Sequence, residues 1–501
     1  MAKAYRWDVL GLVLASWVLL CWRLGQRSLW IDEFMTIGMI QGNVRQVIAA
    51  TTSDVHPPLY FLALHAWRAL AGQTEFAVRW FSSAAGIVGV ALMSGVSRRL
   101  LGQSAVLPAT TLLGLSPAFI EFSRMARYYS LALALGLASA LLLLEAARAG
   151  RLRWGAYGLT GLAMLYTFYP SGVLIGAHGL LLLYPAHRRK RFLAWAVTIA
   201  IVGALFAPWF LFVVGSQAGL ASEITQADFA RSALGFALGL ASAAYTFGVG
   251  ETLFPWRPEA WCGLLAIIAL LGRGIFWRGR QAPWQQAGLV GVSLVFVSVV
   301  TTFVASGTPF LNVPVRGLFI LPYFLLIAAA GWMDLTPGAA RWLIGGAVGL
   351  AWGSSLLNQF AGQQFLNPIY LTPAKEAAAL VRQSAAPADL VISDYDSVFG
   401  YYFLPGGTPP RHFYTDQVDE IQAALDVARP PRLWLVTIGR DRTRGATAAE
   451  TVRQLLAARG YTLDRVERYA RIDPVYLRVK NFLLRRNSYE HRLEIAIYSL
   501  P

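Results

Sequence analysis

Long apolar runs recur along roughly the first 360 residues of this chain and restrict what it can fold into. Of its 501 residues, 56% are hydrophobic and 14% are charged, whereas a soluble protein carries about 25% charged residues. Runs long enough to cross a bilayer must be helical there, because lipid offers no hydrogen-bond partner to an open sheet edge. The pattern therefore predicts a polytopic α-helical membrane protein.

Charge, cysteine usage and short motifs exclude several functional classes. The net charge of +16 is explained by Lys and Arg that accumulate in cytoplasmic loops and pair with lipid phosphates, so no nucleic acid partner is predicted. Cys21 and Cys262 both lie in apolar segments, which argues against a disulfide framework or a zinc site. The sequence has no Walker motif, no glycine-rich dinucleotide turn and no HExxH motif, so ATP, NAD and zinc-peptidase chemistry lack support.

Basic residues cluster in five short connections between the apolar runs, and a weaker sixth cluster lies near Arg341. Because Lys and Arg mark the cytoplasmic side of short loops, the spans between these connections come in pairs. Residues 57–71 and 231–248 would reverse the orientation of everything after them if they crossed, so both are predicted to be juxtamembrane or re-entrant helices on the outer side. The pattern predicts about eleven spans, with the N-terminus inside and the C-terminus outside. The predicted spans are residues 8–24, 77–97, 104–120, 129–147, 154–169, 171–186, 192–214, 259–272, 285–305, 315–333 and 341–357.

The pattern changes at about Pro373, where alternating helix and strand signals replace the long apolar runs. Such alternation predicts a compact α/β domain, which the topology puts outside the membrane. We therefore predict a membrane domain over residues 1–360, with a long outer loop over residues 25–76, and an extracytoplasmic domain over residues 373–501. The elements expected in the second domain are helices 374–385, 416–427 and 447–459 and strands 390–392, 433–436, 461–469 and 493–499.

Two adjacent carboxylates, Asp32 and Glu33, follow the first apolar run in the stretch Leu29–Glu33. Carboxylates near lipid carry a desolvation cost, so they tend to face a polar cavity where they act on a ligand. A carboxylate in a partly dry pocket can deprotonate a hydroxyl or an amine as that group attacks. The same pattern also fits a helix start, in which an Asp cap is followed by an acidic first-turn residue. The residues alone leave both interpretations open.

A second group of candidates closes the same outer loop, in the stretch Asp54–Tyr60. His56 precedes a proline pair, and the residue before a proline is held extended, which projects its side chain in a defined direction. His56 is therefore a candidate donor to a phosphate or to an acceptor, and a structural role is the alternative. Asp54 and Tyr60 flank it and are candidates for the same substrate site.

Several arginines lie on the predicted outer side of the membrane. Arg124 and Arg127 are three residues apart at the predicted start of a span, where a helix would bring them to one face. Arg316 and Arg79 are two further cations near outer span starts. Arginine matches phosphate oxygens through two parallel hydrogen bonds, which favours an anionic ligand, and contact with lipid headgroups is the alternative. Tyr128 lies beside Arg127 and is a candidate for stacking on a sugar.

Three stretches carry a resemblance to a known family: Leu29–Glu33, His56–Tyr60 with the following Glu75–Arg79, and Ser123–Tyr128. In order and spacing they resemble the bacterial glycosyltransferase family 39 and its neighbours. These are membrane enzymes of the GT-C fold, related to protein O-mannosyltransferases and to the aminoarabinose transferase of lipid A. The likeness covers roughly the first 150 residues. His56 departs from the lipid A subgroup, which has lysine before its proline pair.

The resemblance implies a sugar donor on a polyprenyl phosphate, transferred with inversion to a lipid, glycan or protein acceptor on the outer face of a bacterial plasma membrane. It implies that Asp32 is the catalytic base and that Glu33 matches a second acid. Arg124, Arg127 and Arg316 would stabilise the charge that grows on the departing lipid phosphate. A lipid monophosphate can leave without a metal, so no metal and no other cofactor is expected. The expected substrate-binding residues are Asp54, His56, Tyr60, Arg79 and Tyr128.

Three other functions compete with glycosyl transfer. A transporter or flippase for a lipid-linked sugar would use the same cations without chemistry, but it predicts paired repeats and broken helices in both halves, and the sequence has neither. A ligase that uses a lipid pyrophosphate donor would not centre on an acid pair in the first outer loop. A non-catalytic assembly protein would tolerate the substitution Asp32→Asn.

Overall fold

The structure divides the chain into two compact units. One comprises Met1–Leu24 and Gly38–Phe360, and the other comprises Gly25–Ile37 and Ala361–Pro501. The sequence assigns residues 25–37 to the membrane domain, whereas the structure groups them with the C-terminal unit. The predicted span over residues 285–305 lies outside the described residues. The computed structural model describes residues 2–54, 56–149, 151–182, 188–217, 233–276, 314–394, 398–404, 410–438, 444–469, 475–476, 478–479, 482 and 493–500.

Helices are the regular elements of the first unit in the part of it that the structure describes. The helix Glu75–Leu101 shows how local sequence sets these elements: the Thr74 side chain accepts from the Ala77 N–H at its start, and Gly102 ends it with a φ of 93°. The α-helices are Ala2–Cys21, Val44–Thr52, Leu59–Ala71, Glu75–Leu101, Val106–Leu115, Pro117–Ser123, Tyr129–Ala149, Arg151–Thr167, Val173–Leu182, Arg188–Gln217, Ala233–Val249, Pro258–Ile275, Leu321–Asp334 and Ala339–Ala361, with 3₁₀ helices at Gln103–Ala105, Tyr169–Gly172 and Pro314–Ile320.

Within the described ranges, five helices are long and apolar enough to cross a membrane, and a bent pair would make a sixth. The number of spans and their orientation therefore remain predictions. The two segments predicted to lie on the outer side, residues 57–71 and 231–248, form the helices Leu59–Ala71 and Ala233–Val249. The five helices are Glu75–Leu101, Tyr129–Ala146, Lys190–Val213, Pro258–Ile275 and Pro314–Asp334.

The bent pair corrects one prediction. The continuous span expected over residues 104–120 is two elements, Gln103–Leu115 and Pro117–Ser123, which meet at 54°. Ser116 has extended backbone and its side chain accepts from the Phe119 N–H, so it caps a new helix that begins at Pro117. The proline cannot continue the first helix, because its nitrogen carries no hydrogen to donate.

The second unit is built around one mixed sheet of five strands. The strands are β1 (Leu390–Ser393), β2 (Arg411–Tyr414), β3 (Arg432–Ile438), β4 (Thr462–Tyr469) and β5 (Leu493–Ser499). Their order is β2-β1-β3-β5-β4, with β1 parallel to both β2 and β3 and with β5 antiparallel to β3 and β4. Its helices are Ile31–Met39, Ala374–Ser384, Phe399–Phe403, Val418–Val427 and Arg444–Ala458, with a 3₁₀ helix at Pro368–Leu371.

Helices cover both faces of this sheet. One face packs Val381 and Phe403 against Trp434, and the other packs Ile421 and Val452 against the opposite side of the strands. The predicted helices and strands of this domain are all found, with boundaries shifted by a few residues. Strand β2 and the short helix Phe399–Phe403 are additional elements that the sequence pattern does not predict.

Candidate active site

The two predicted carboxylates lie in the first turn of the helix Ile31–Met39, in the second unit. Glu33 is buried, with 1% of its surface exposed, and its Oε2 accepts a hydrogen bond of 3.2 Å from the Trp30 N–H. This is the contact that an acid in the third position of a helix makes with the capping residue. Asp32 is half-buried. Glu33 therefore serves the helix start, and Asp32 is the more accessible carboxylate.

The other predicted site residues lie in the first unit, and two of the arginines differ from expectation. Arg124 and Arg127 do not share a helix face, because residues 124–128 form a bend between Pro117–Ser123 and Tyr129–Ala149. The preceding helix ends at Ser123, and the Arg124 N–H donates to the Glu121 carbonyl. The two arginines therefore lie beyond the end of that helix. We call residues 124–128 the arginine bend.

Serines on the helix Glu75–Leu101 hold the arginine bend in place. The Ser82 hydroxyl donates to the Arg127 carbonyl at 3.0 Å, and the Ser83 hydroxyl donates to the Ser123 carbonyl at 3.4 Å. The buried Tyr60 hydroxyl lies 2.9 Å from the Ser82 hydroxyl. Since the Ser82 proton goes to Arg127, Tyr60 donates to Ser82. Tyr60 thus supports the bend through its hydroxyl.

Arg127 is buried in this bend, with 4% of its surface exposed, and it contacts two of the other candidates. Its Nη2 is 2.9 Å from Nε2 of His56, and Nδ1 of His56 is 3.2 Å from Oδ2 of Asp54. A guanidinium only donates, so Nε2 accepts and the ring proton sits on Nδ1, which is at ion-pair distance from the carboxylate. Asp54, His56 and Arg127 therefore form a chain of contacts, which we call the relay, and the hydrogen bond between Arg127 and His56 orients the buried cation.

Aromatic rings enclose the relay. The His56 ring centroid is 5.9 Å from that of Phe61 and 5.3 Å from that of Tyr128. The Arg127 guanidinium lies 5.1 Å from the Tyr128 ring, which also stacks on Phe168 at 4.8 Å. Tyr128 was a candidate for stacking on a sugar, and in this structure its ring packs on protein groups. Low-dielectric walls of this kind strengthen the attraction between a cation and an anionic ligand.

Arg124 and Arg79 contact backbone carbonyls near the end of the first helix, Ala2–Cys21. Nη1 of Arg124 donates to Leu19 at 2.7 Å and to Leu20 at 3.1 Å, and Nη1 of Arg79 donates to Leu24 at 3.0 Å. The last carbonyls of a helix lack partners within the helix, and a cation there is also favoured by the helix dipole. Arg124 thus stabilises this helix end, and Arg79 holds the turn that follows it. The spacing of the residues reveals neither role.

Arg316 lies in the 3₁₀ helix Pro314–Ile320 and is half-buried. Two buried carboxylates of the first unit are not among the residues that the sequence predicts for the site: Glu121 and Glu251 each have 4% of their surface exposed. The sequence carries a signal for both residues, because each acid interrupts an apolar segment of a membrane protein. Among the described residues, no group of three or more His, Cys, Asp or Glu side chains is arranged to hold a metal ion.

Comparison with known proteins connects this geometry to a fold. Residues 55–212 match the sequence profile of a family described as dolichyl-phosphate-mannose-protein mannosyltransferase. The structure of ArnT from Cupriavidus metallidurans in the apo state matches with a TM-score of 0.58 and 14% identity, over 99% of this chain and 98% of that one. The fold is that of the GT-C glycosyltransferases. The predicted resemblance to glycosyltransferase family 39 and its neighbours is confirmed.

Other matches of the same fold carry lipid phosphates. ArnT bound to undecaprenyl phosphate matches with a TM-score of 0.54 and 12% identity, over 99% of this chain and 98% of that one. The oligosaccharyltransferase AglB from Archaeoglobus fulgidus, in complex with an inhibitory peptide and a dolichol-phosphate, matches with a TM-score of 0.50 and 10% identity, over 94% of this chain and 73% of that one. A search of curated proteins finds no match. The matched family region contains the relay residue His56 and the arginine bend, and Asp32 and Glu33 precede it.

Proposed function

We propose that this protein is an inverting glycosyltransferase that moves a sugar from a polyprenyl-phosphate donor to an acceptor on the extracytoplasmic face of a bacterial plasma membrane. The observation that carries the proposal is the buried Arg127, hydrogen-bonded to His56, because both residues lie within the region that matches the mannosyltransferase family. A fixed, desolvated guanidinium is suited to a phosphate that gains charge as it leaves. The C-terminal unit is proposed to lie outside the membrane.

Asp32 is the proposed base. Its carboxylate takes the proton from an acceptor hydroxyl or amine while that atom forms a bond to the anomeric carbon of the sugar. The bond from the anomeric carbon to the phosphate oxygen breaks, and the polyprenyl phosphate leaves with the electron pair. The half-buried position of Asp32, against the buried and hydrogen-bonded Glu33, supports this division of roles between the two acids.

Phosphate binding is proposed for Arg127 first and for Arg316 second. Arg127 is oriented in advance by its relay, which reduces the entropy lost when a ligand binds. Arg316 is half-buried on the short helix that begins the apolar segment Pro314–Asp334. Arg124 and Arg79 are proposed to act less directly, since part of each guanidinium is engaged with backbone carbonyls. Asp54, Tyr60 and Tyr128 support the site around Arg127.

A transfer assay on the purified full chain tests the proposal. A panel of polyprenyl-phosphate sugars is supplied with envelope extracts as acceptors, and labelled products are identified by mass spectrometry. We expect Asp32→Asn to lower the transfer rate at least about 100-fold while donor binding persists, because loss of a general base lowers a rate by about 10²- to 10⁴-fold. Asp419→Asn, at an exposed helix start in the same unit, is the matched control.

The outcomes separate the competing functions. Full transfer by the Asp32→Asn variant would rule out that residue as the base. Movement of a lipid-linked sugar across proteoliposome membranes by both the wild type and the variant, with no product formed, would identify a flippase instead. The same assay identifies the sugar and the acceptor, because only the matched pair yields a labelled product.

A further inference from the structure

The stretch that leads into the acid-bearing helix is packed within the C-terminal unit, although more than 300 residues separate the two parts in the sequence. Leu29 is fully buried there, and 7% of the Trp30 surface is exposed. The Trp30 ring meets Tyr370 edge-on, with centroids 4.9 Å apart, and Phe34 meets Tyr401 at 6.0 Å. The helix that carries Asp32 is therefore anchored on both sides of its first turn.

Hydrogen bonds fix the backbone at the start of this helix. The Leu29 N–H donates to the Tyr402 hydroxyl oxygen at 2.9 Å, and the next amide, that of Trp30, donates to Glu33 at 3.2 Å. Two consecutive buried amides thus have partners, and one of these partners comes from the short helix Phe399–Phe403 of the C-terminal unit. Removing the acceptor of a buried amide costs about 1–3 kcal/mol, so Tyr402 is a strong constraint on the position of this backbone.

Ser28 provides a second attachment, one residue earlier. Its hydroxyl donates to Oε2 of Glu376 at 3.1 Å and accepts from the Lys375 N–H at 3.0 Å. Lys375 and Glu376 lie in the first turn of the helix Ala374–Ser384. The first amides of a helix have no acceptor within the helix. The Ser28 hydroxyl supplies one to Lys375 and so joins the acid-bearing segment to that helix.

Tyr402 is itself held in place. Nη2 of Arg382 donates to the carbonyls of Tyr402 and Phe403 at 2.5 and 2.7 Å, and the Lys375 ammonium lies 5.9 Å from the Tyr402 ring. Arg382 and Lys375 belong to the helix Ala374–Ser384, the same helix that Ser28 contacts. The two attachments thus share one rigid support and together restrict both the translation and the rotation of the acid-bearing helix.

We propose that the C-terminal unit is a positioning element for catalysis, in which Tyr402 and Ser28 set the placement of the proposed base Asp32. The inference rests on the proposed function and assigns Tyr402 and Ser28 as positioning residues that act through the Ile31–Met39 helix. A displacement of about 1 Å at a reacting group can lower a rate by about 100-fold, so loosening this helix start affects catalysis more than stability. Substrate affinity that depends on other groups is retained.

The test compares Tyr402→Phe with Tyr461→Phe in the full-length protein. Both remove a hydrogen-bonded tyrosine hydroxyl from the same unit, but the Tyr461 hydroxyl donates to the Pro430 carbonyl, on the opposite face of the sheet from Phe403. We expect Tyr402→Phe to lower kcat by roughly 10- to 100-fold, with KM for the donor unchanged. Hydrogen exchange at the amides of residues 29–34 should become faster. Tyr461→Phe should leave kcat and this exchange at wild-type values.

Ser28 supplies a second, independent pair of variants. Ser28→Ala should lower kcat in the same way, and Ser28→Thr, which keeps the hydroxyl, should restore it. If Tyr402→Phe does not fold, the Ser28 pair decides the question. Wild-type kcat together with wild-type exchange in Tyr402→Phe or Ser28→Ala would overturn the positioning role and leave the proposed function standing. If the wild type transfers no sugar, the proposed function fails, and the assignment of these residues to catalysis fails with it. The hydrogen-exchange data still report whether these residues hold the helix.

Discussion

Arg127 and His56 are joined by a hydrogen bond of 2.9 Å between Nη2 and Nε2, although they are 71 positions apart in the sequence. The imidazole accepts this bond only in its neutral form, in which its single N–H proton sits on Nδ1. This atom is 3.2 Å from the Asp54 carboxylate. Protonation of His56 would remove the acceptor and bring two positive charges together. The relay therefore links the orientation of a buried cation to the state of one histidine.

Replacing His56 tests the relay. His56→Leu removes the acceptor for Arg127, and we expect affinity for polyprenyl phosphate to fall roughly 10- to 100-fold, because a hydrogen bond to a charged group contributes about 1.5–3 kcal/mol. His56→Gln offers an amide oxygen in place of Nε2 and should retain most of the affinity. Binding of a labelled polyprenyl phosphate to the detergent-solubilised protein measures both. Wild-type affinity in the Leu variant would show that Arg127 does not need the histidine.

Arg127 itself is expected to bind the donor and not the acceptor. Arg127→Ala should weaken donor binding at least about tenfold and leave acceptor affinity unchanged, because the guanidinium pairs with phosphate and a neutral acceptor offers no such charge. Arg68→Ala is the control, since Arg68 hydrogen-bonds the surface residues Gln41 and Gln73. Titrations of the two ligands against each variant provide the measurement. An unchanged donor affinity in Arg127→Ala would assign this arginine to the architecture of the bend alone.

Arg124 is expected to matter chiefly for stability. Arg124→Ala removes two hydrogen bonds to the Leu19 and Leu20 carbonyls and a cation–π contact with Phe360 at 5.0 Å. We expect the free energy of unfolding to fall by about 1–3 kcal/mol. Thermal unfolding in detergent measures the loss, and donor affinity is determined on the folded fraction. A variant that melts like the wild type but fails to bind donor would reverse this assignment.

The stability of the C-terminal unit should depend on pH through His412, which lies on β2 and whose Nε2 is 2.9 Å from the Ser393 hydroxyl. Burial lowers the pKa of His412 from 6.5 to about 4. The unfolded chain therefore binds this proton at a higher pH than the folded protein does. The free energy of unfolding should fall as pH decreases from 6.5 towards about 4, by at most about 1.4 kcal/mol per pH unit, and the effect is absent above that window.

Exchange of the amides of β1 and β2 in the full chain, followed from neutral to acidic pH, measures this effect. His412→Gln keeps a polar side chain that does not titrate in the same window, so its curve should lie flatter than that of the wild type. Parallel curves for the two proteins would show that other groups cause the acid sensitivity.

The C-terminal domain shows where sequence patterns succeed. Its longer strands, such as β3 and β5, are rich in apolar residues, and the pattern alone predicts them. Strand β2 has four residues with partly exposed side chains, and it is a strand because it pairs in parallel with β1. Local composition does not reveal a strand whose ladder hydrogen bonds come from another strand.

The candidate site shows the same contrast between what local sequence predicts and what the fold decides. The sequence predicts both a helix start and an acid pair at Asp32 and Glu33, and the hydrogen bond from Trp30 to Glu33 assigns the capping role to one of them. Spacing predicts that Arg124 and Arg127 share a helix face, and the structure replaces that face with a bend. Each arginine then finds its own partners, which lie on other helices.

Sequence by itself determined that most of this protein must be apolar helices, and which charged residues interrupt them. These are local properties, governed by hydrophobic burial and by the hydrogen bonds of each helix end. The tertiary structure alone decided that Arg127 pairs with His56, that Arg124 caps the first helix, and that Tyr402 holds the Leu29 amide. A buried polar group must find a partner wherever packing brings one, and that partner is set by the fold and not by proximity along the chain.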